Sequence, residues 1–171
     1  MNDQALQNAA VPLVDELRKI LGPGRVLVSD EDRRFYSQDI AGPRTCVAAC
    51  VVQPGTVEQL AATVGAAAAA GHAIVPRGGG SSYTGGYVPA RTDSVLVDTC
   101  GLDRVTEINT ADMYVTVEAG CTWQSLLAAL EPHGVSTPFW GPLTGGIATV
   151  GGSLSQNAIL WGSARYYVAA E

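Results

Sequence analysis

The feature that most constrains this chain is the run Arg77-Gly78-Gly79-Gly80-Ser81-Ser82-Tyr83-Thr84-Gly85-Gly86, which packs five glycines and three hydroxyl side chains into ten residues. Glycine weakens a helix or strand interior by roughly 0.5–1 kcal/mol relative to alanine, so such a run is a loop. It follows directly on Ala73-Ile74-Val75-Pro76, which reads as a strand. Glycines let the main chain take positive φ and approach a ligand closely, and successive exposed N–H groups form a concave anion site. Ser81, Ser82 and Thr84 add hydroxyl donors, and Arg77 is the single cation of the run. This chemistry suits a phosphate or diphosphate held by amides rather than by lysines. The plain alternative is a flexible turn, but a turn has no need of an arginine, a tyrosine and three hydroxyls among its glycines.

The common phosphate motifs do not fit. Gly80 and Gly85 have the spacing of a P-loop, but Gly86 stands where that motif needs lysine. Gly78 and Gly80 match the start of G-x-G-x-x-G, but Tyr83 occupies its last position. The residues after the loop lead to Pro89 and a strand, not to a helix. A serine hydrolase is also disfavoured. No G-x-S-x-G elbow occurs, and His72 and His133 stand outside any triad context.

Periodicity outlines the rest. Leu13, Val14, Leu17, Ile20 and Leu21 predict a helix over 11–21, ended by Gly22-Pro23. Residues 25–28 are a short strand candidate, and the charged stretch 30–34 reads as a turn or loop. Residues 46–52 predict a strand buried on both faces, closed by Gln53-Pro54-Gly55. Thr56 with Gln59 forms a capping box opening an alanine-rich helix that stops at Gly71. Residues 46–76 are therefore a strand–helix–strand unit feeding the glycine loop. Strands follow over 94–98, 104–108 and 114–118, the last two joined across the turn-rich residues 109–112. Thr122 opens a helix over 123–131 that ends near Gly134, and beyond it Pro138, Gly141, Pro142, Gly145, Gly146, Gly151 and Gly152 loosen the pattern. Strands first alternate with helices and then run together, which predicts an α+β fold.

Composition removes several partners. The 171 residues carry 10 Lys+Arg against 16 Asp+Glu, a formal charge of 10 − 16 = −6, with Lys19 the only lysine. Nucleic acid is excluded, because phosphate-backbone binding needs clustered cations. No apolar run approaches the roughly 20 residues of a membrane span, and the polar start is no signal peptide. The chain reads as soluble and cytoplasmic. Cys46, Cys50, Cys100 and Cys121 lack metal-like spacing and read as buried free thiols, the first two on one face of the 46–52 strand. No metal site is expected.

With these residues in view, the chain resembles the vanillyl-alcohol-oxidase type of FAD-binding domain, the PCMH-type domain of FAD-linked glycolate and D-lactate dehydrogenases and berberine-bridge-type oxidases. Pro76-Arg77-Gly78-Gly79-Gly80-Ser81-Ser82-Tyr83-Thr84-Gly85 is similar to that family's diphosphate loop. Gln53-Pro54-Gly55-Thr56-Val57-Glu58-Gln59-Leu60 resembles its first strand–helix junction. Val95-Leu96-Val97-Asp98 with Leu102, and Val115-Thr116-Val117-Glu118-Ala119-Gly120, resemble its next strands. Ala148-Thr149-Val150-Gly151-Gly152, followed by Asn157, Gly162 and Arg165-Tyr166, resembles its second glycine segment. These matches fall in family order across about residues 50–167.

The resemblance implies that Arg77, Gly78, Gly79, Gly80, Ser81, Ser82, Tyr83, Thr84 and Gly85 hold the FAD diphosphate. It implies that Gly120, Pro142, Thr149, Gly151 and Gly152 lie near the ribityl chain or flavin ring. Trp123, Trp140 and Trp161 read as core or rim aromatics. Members that tether flavin through the loop carry histidine where this chain has Ser81, so the FAD is expected to be non-covalent. Many members have glycine where Tyr167 stands. Residues 1–45 are expected to be a helix and lead-in, and 46–171 a PCMH-type FAD-binding domain incomplete at its C-terminus, with a substrate domain to follow. The implied activity is oxidation of a 2-hydroxy acid or alcohol by hydride transfer to FAD, with a small-molecule substrate and an electron acceptor as partners. The alternative is a nucleotide-binding module or subunit fragment without turnover. No catalytic residue is nameable; Asp30, Glu31 and Arg33 read as solvated charges.

Overall fold

The structure, a computed structural model, describes residues 3–43, 45–138 and 145–159, with side chains from residue 12 onward. Pro142, Trp140, Trp161, Gly162, Arg165, Tyr166 and Tyr167 lie outside the described residues. The chain divides after Gly101 into two compact units, one up to Gly101 and one from Leu102 onward.

In the first unit, α1 (Asp3–Leu21) precedes a 3-10 turn (Pro23–Arg25), β1 (Val26–Leu27) and α2 (Asp30–Tyr36). Then come β2 (Cys50–Val52), α3 (Val57–Ala69), β3 (Ala73–Arg77) and β4 (Ser94–Asp98). The sheet order is β1-β2-β4-β3, with β2, β4 and β3 parallel and β1 antiparallel. The predicted strand–helix–strand unit is therefore split, because β4 inserts between β2 and β3. Successive side chains of a strand face opposite layers. Cys50, Val52, Val95 and Val97 pack with Leu13, Leu17 and Leu21 of α1 and Ala67 of α3. Val51 and Leu96 pack the other way, with Ala48, Leu27 and Tyr36. Every residue of β2 and β4 is buried, as expected of a parallel strand covered on both faces. Emptying a position of α1 that packs on these strands, for example Leu17→Ala, costs about 2–5 kcal/mol.

Three expectations need correction here. α1 begins at Asp3, well before residue 11, because the alanine- and glutamine-rich segment before Pro12 has good helix propensity. Residues 30–34 are helical: Ser29 Oγ accepts the Asp32 N–H at 3.1 Å, Asp30, Glu31 and Asp32 occupy the first turn, and Arg33 and Arg34 the last. That is a capped helix with charges suited to its dipole. The 46–52 strand shrinks to Cys50–Val52. Ser37 Oγ takes the Ala48 N–H at 2.9 Å, and the half-buried Arg33 guanidinium donates to the Ala48 carbonyl at 3.2 Å, so these groups serve side chains instead of a ladder. Arg33 is thus a structural cross-link rather than a solvated charge, and Cys46 shares no strand face with Cys50.

The capping prediction at Thr56 holds with one displacement. Thr56 Oγ1 accepts the Gln59 N–H, but the Gln59 side chain reaches the Gly55 N–H, one residue beyond the usual box. α3 ends in a Schellman arrangement, with Gly71 at φ 76, its N–H on Ala68 O and the His72 N–H on Ala67 O.

In the second unit, β5 (Val105–Asn109) and β6 (Tyr114–Val117) form the expected antiparallel hairpin. Asn109 Oδ1 holds its turn by accepting from the N–H groups of Ala111 and Asp112. α4 (Trp123–Leu130) is capped by Thr122 and runs into a 3-10 turn (Glu131–His133) closed by Gly134 at φ 66. α5 (Val150–Ser155) follows. Trp123, Leu126, Leu130, Cys121 and Ala148 form this unit's core, with Val105, Ile108, Val115 and Val117 against it. Sequence reading left residues 150–155 irregular because paired glycines disfavour a helix; Thr149 supplies the cap that overrides them. All four cysteines are free, Cys50 and Cys121 buried, Cys46 and Cys100 half-buried. No helix among the described residues is long and apolar enough to cross a membrane.

Candidate functional site: a diphosphate-type glycine loop

The glycine loop leaves the C-terminal end of β3, the edge of a parallel sheet where open α/β folds bind ligands. The Arg77 carbonyl is anchored by Thr99, through its N–H at 2.9 Å and Oγ1–H at 3.2 Å. From there the main chain departs from the sheet. Gly80 and Gly85 take left-handed φ of 67 and 75, which a side chain resists. A Cβ on Gly80 would also fall inside the Arg77 guanidinium. The Tyr87 hydroxyl shares its one proton between the carbonyls of Gly80 (2.7 Å) and Ser82 (3.0 Å), so two loop carbonyls point back into the protein. Among the described residues, the N–H groups of Gly78, Gly79, Gly80 and Ser81 donate to no protein acceptor. Carbonyls spent inward and amides left open is the arrangement an anion requires.

The far end of the loop is held by buried Asp39. Its Oδ2 accepts the Gly85 N–H at 2.9 Å and its Oδ1 the Ala41 N–H at 3.1 Å, while the Ile40 N–H donates to Ser82 O. Ser82 Oγ accepts the Thr84 N–H at 3.2 Å and bonds Thr84 Oγ1 at 3.0 Å, so these two hydroxyls brace the loop. Tyr83 is exposed. Burial, the largest influence, pushes the Tyr87 phenol above its ordinary range, which keeps it a donor to the loop carbonyls. Sequence reasoning missed Asp39 and Tyr87. Tyr87 lies immediately after the glycines, but nothing marks Asp39, which is brought in by the fold from 46 residues away.

Gly120, Thr149, Gly151 and Gly152 are gathered within the second unit. Thr149 bridges Thr122 and caps α5, its Oγ1 accepting the Gly152 N–H at 3.3 Å. The Gly151 N–H donates to Ala119 O at 3.0 Å, the Val150 N–H to Cys121 O at 2.8 Å and the Gly120 N–H to Leu102 O at 2.7 Å. A Cβ on Gly151 would lie 2.7 Å from Ala119 Cβ, so this glycine is required by close packing. Unlike the first loop, this segment has spent its amides on protein. Trp123 is a core residue, its Nε1–H donating to Ser153 Oγ at 2.8 Å. No cluster of three metal-ligating side chains occurs among the described residues.

A mixed sheet with an amide-lined loop at the end of a parallel strand has the features of a domain that binds the phosphates of a cofactor. The family described as FAD binding domain matches residues 48–170, and this chain belongs to it, with FAD as its cofactor. The D-2-hydroxyglutarate dehydrogenase of Stutzerimonas stutzeri is 28% identical over 162 residues, covering 92% of this chain and 34% of that protein. The glycolate oxidase subunit GlcD of Bacillus subtilis is 25% identical over 159 residues, covering 90% of this chain and 33% of that protein. Among solved structures, an alkyldihydroxyacetonephosphate synthase superposes with TM-score 0.81 at 22% identity, covering 92% of this chain and 34% of its own, a likeness of fold. The chain thus spans about a third of the length of these proteins.

Proposed function

We propose that this chain is the N-terminal, FAD-binding portion of an oxidoreductase that oxidises a 2-hydroxy acid or a related alcohol. The observation that carries this reading is the row of open amides at Gly78, Gly79, Gly80 and Ser81, in a chain of the FAD binding domain family whose relatives are named for D-2-hydroxyglutarate and glycolate. The residues fit the cofactor: the loop amides face no protein acceptor, and Gly80 and Gly85 hold the left-handed turns that aim them. When bound, FAD supplies the two-electron acceptor for the hydride of the substrate alcohol. The diphosphate site is the loop that runs from Arg77 to Gly85. By the family resemblance, Gly120, Pro142, Thr149, Gly151 and Gly152 serve the ribityl chain or ring. The FAD is non-covalent, since the loop has Ser81 where tethering members carry histidine. Residues 1–45 are the lead-in and 46–171 the FAD-binding domain, working in the cytoplasm with a C-terminal substrate domain and an electron acceptor.

The test is turnover by the full-length protein with a panel of D-2-hydroxy acids and benzylic alcohols, read by dye reduction. Saturable, FAD-dependent turnover of a 2-hydroxy acid is expected; a full-length protein that takes up FAD but oxidises no member of the panel would refute the substrate class. Acid precipitation should release the yellow colour into the supernatant, and colour in the pellet would refute non-covalent binding. Residues 1–171 alone should show no turnover above free flavin, because they match only about a third of the length of the relatives named for such activities.

A further inference from the structure

Arg77 is the one cation of the glycine loop, yet its surroundings are not those of a phosphate ligand. Its guanidinium carbon lies 4.8 Å from the ring centroid of Tyr36, 5.4 Å from Tyr87 and 5.8 Å from Phe35, all within cation–π range. Phe35 and Tyr36 meet edge to face at 5.3 Å, so the two rings form a corner. The polar contacts are poor by comparison. Nη1 reaches the Gly78 carbonyl at 3.5 Å, and Nε is buried with no hydrogen-bond partner among the described residues. A buried Nε is closed to an incoming phosphate.

The same guanidinium is coupled to the loop main chain. It fills the space where Gly80 would carry a Cβ, so arginine and glycine interlock. Tyr87 serves both sides, one wall of the cage through its ring and a clamp on the Gly80 and Ser82 carbonyls through its hydroxyl. Tyr36 is fixed in turn: Gln53 Nε2 donates to its hydroxyl at 3.0 Å and to Asp98 Oδ2 at 2.9 Å. Phe35 and Tyr36 belong to α2, upstream of residue 48 where the family match begins. The segment before the matched domain is therefore built into the cofactor loop.

We propose that Arg77 is a positioning residue: caged by Phe35, Tyr36 and Tyr87, its guanidinium sets the path of Gly78, Gly79 and Gly80, and so the aim of their amides, instead of gripping the diphosphate itself. This rests on the loop being the FAD diphosphate site. Lysine is a poor substitute for such an arginine, because a compact, strongly hydrated ammonium gives up the broad, weakly hydrated guanidinium that lies within reach of all three rings.

The experiment measures FAD dissociation constants of the full-length protein by flavin fluorescence over a range of salt, for the wild type, Arg77→Lys, Arg77→Met, Phe35→Leu and Phe35→Tyr. Both Arg77 variants are expected to weaken binding by at least about tenfold with the wild-type salt slope, since no phosphate contact is lost. Phe35 is largely exposed, so Phe35→Leu should keep the apo melting temperature within about 2 °C yet weaken FAD binding several-fold, while Phe35→Tyr restores it. Wild-type affinity in Arg77→Lys, a flattened salt slope in Arg77→Met, or an unchanged constant in Phe35→Leu would each overturn the positioning role. If the Arg77 variants do not fold, the Phe35 pair decides. A wild-type protein that binds no FAD would overturn the cofactor-site reading and this inference together, whereas the other failures overturn the inference alone.

Discussion

Gly80→Ala isolates what the loop geometry contributes. At φ 67 an alanine pays roughly 1–2 kcal/mol for the left-handed conformation. Its methyl would also occupy the position of the Arg77 guanidinium, which must leave the ring cage at a further cost of about 0.5–2 kcal/mol. Together these reach about 1.5–4 kcal/mol, and at 1.4 kcal/mol per decade this is roughly tenfold to several hundredfold in an equilibrium constant. The cost should appear in binding more than in folding. Gly80 lies outside the sheet in a half-exposed loop, so the apo protein can relax its main chain while β3, β4 and their core stay intact, whereas the ligand requires the amides in place. Flavin fluorescence titration of the full-length protein gives the dissociation constant, and a thermal melt of the apo form gives the stability. Gly86→Ala is the control, because its φ is not left-handed and its Cβ would meet only Thr84 Oγ1 at an ordinary 3.6 Å. That variant should bind within about threefold of wild type. Equal affinity for Gly80→Ala and wild type, or equal loss in both variants, would refute the reasoning.

Gly151→Ala should lower stability by about 1–3 kcal/mol in urea unfolding, because its Cβ would meet Ala119 Cβ at 2.7 Å and Ala119 O at 2.8 Å; unchanged stability would show that α5 can shift freely. Arg104 pairs with Glu118 at 2.7 Å and holds its carboxyl below the ordinary value of 4.5. A lowered folded-state value means the pair stabilises fully above about pH 4.5 and loses that contribution as pH falls through the lowered value. Glu118→Gln should therefore be less stable than wild type at pH 7, with the gap closing in acid; a gap constant with pH would refute the assignment. Burial pushes the Cys50 thiol up to about 11, and Cys121 is also raised by burial, so a thiol reagent at pH 8 should modify Cys46 and Cys100 in the native protein and reach the other two only after unfolding.

Much of the architecture was legible because it is written in local periodicity and punctuation. The apolar spacing of Leu13, Leu17 and Leu21, the caps at Thr56 and Thr122, the stops at Gly71 and Gly134 and the Asn109 turn each act within a few residues, and each lies where expected. The errors arose where a side chain competes for the main chain. Ser37 and Arg33 take main-chain groups of Ala48, and no pattern within residues 46–52 reveals partners 11 and 15 positions upstream. α2 was misread because its charges resemble a solvated turn, although Ser29 followed by three acids and then two arginines was a readable cap and dipole pattern.

By itself, then, the sequence determined the class: glycines in a run after a strand can only be a loop, and their order with the later motifs carried the family resemblance. Tertiary structure decided which groups the loop exposes. Positive φ falls on Gly80 and Gly85 rather than on all five glycines, because Arg77, Tyr87 and Asp39 clamp the chain at those points. It also decided that β4 lies between β2 and β3, and that two rings of α2 reach Arg77 across some forty residues of chain. Such contacts depend on distance in space, and the energy that selects them, burial of a sheet on both faces, belongs to no single segment.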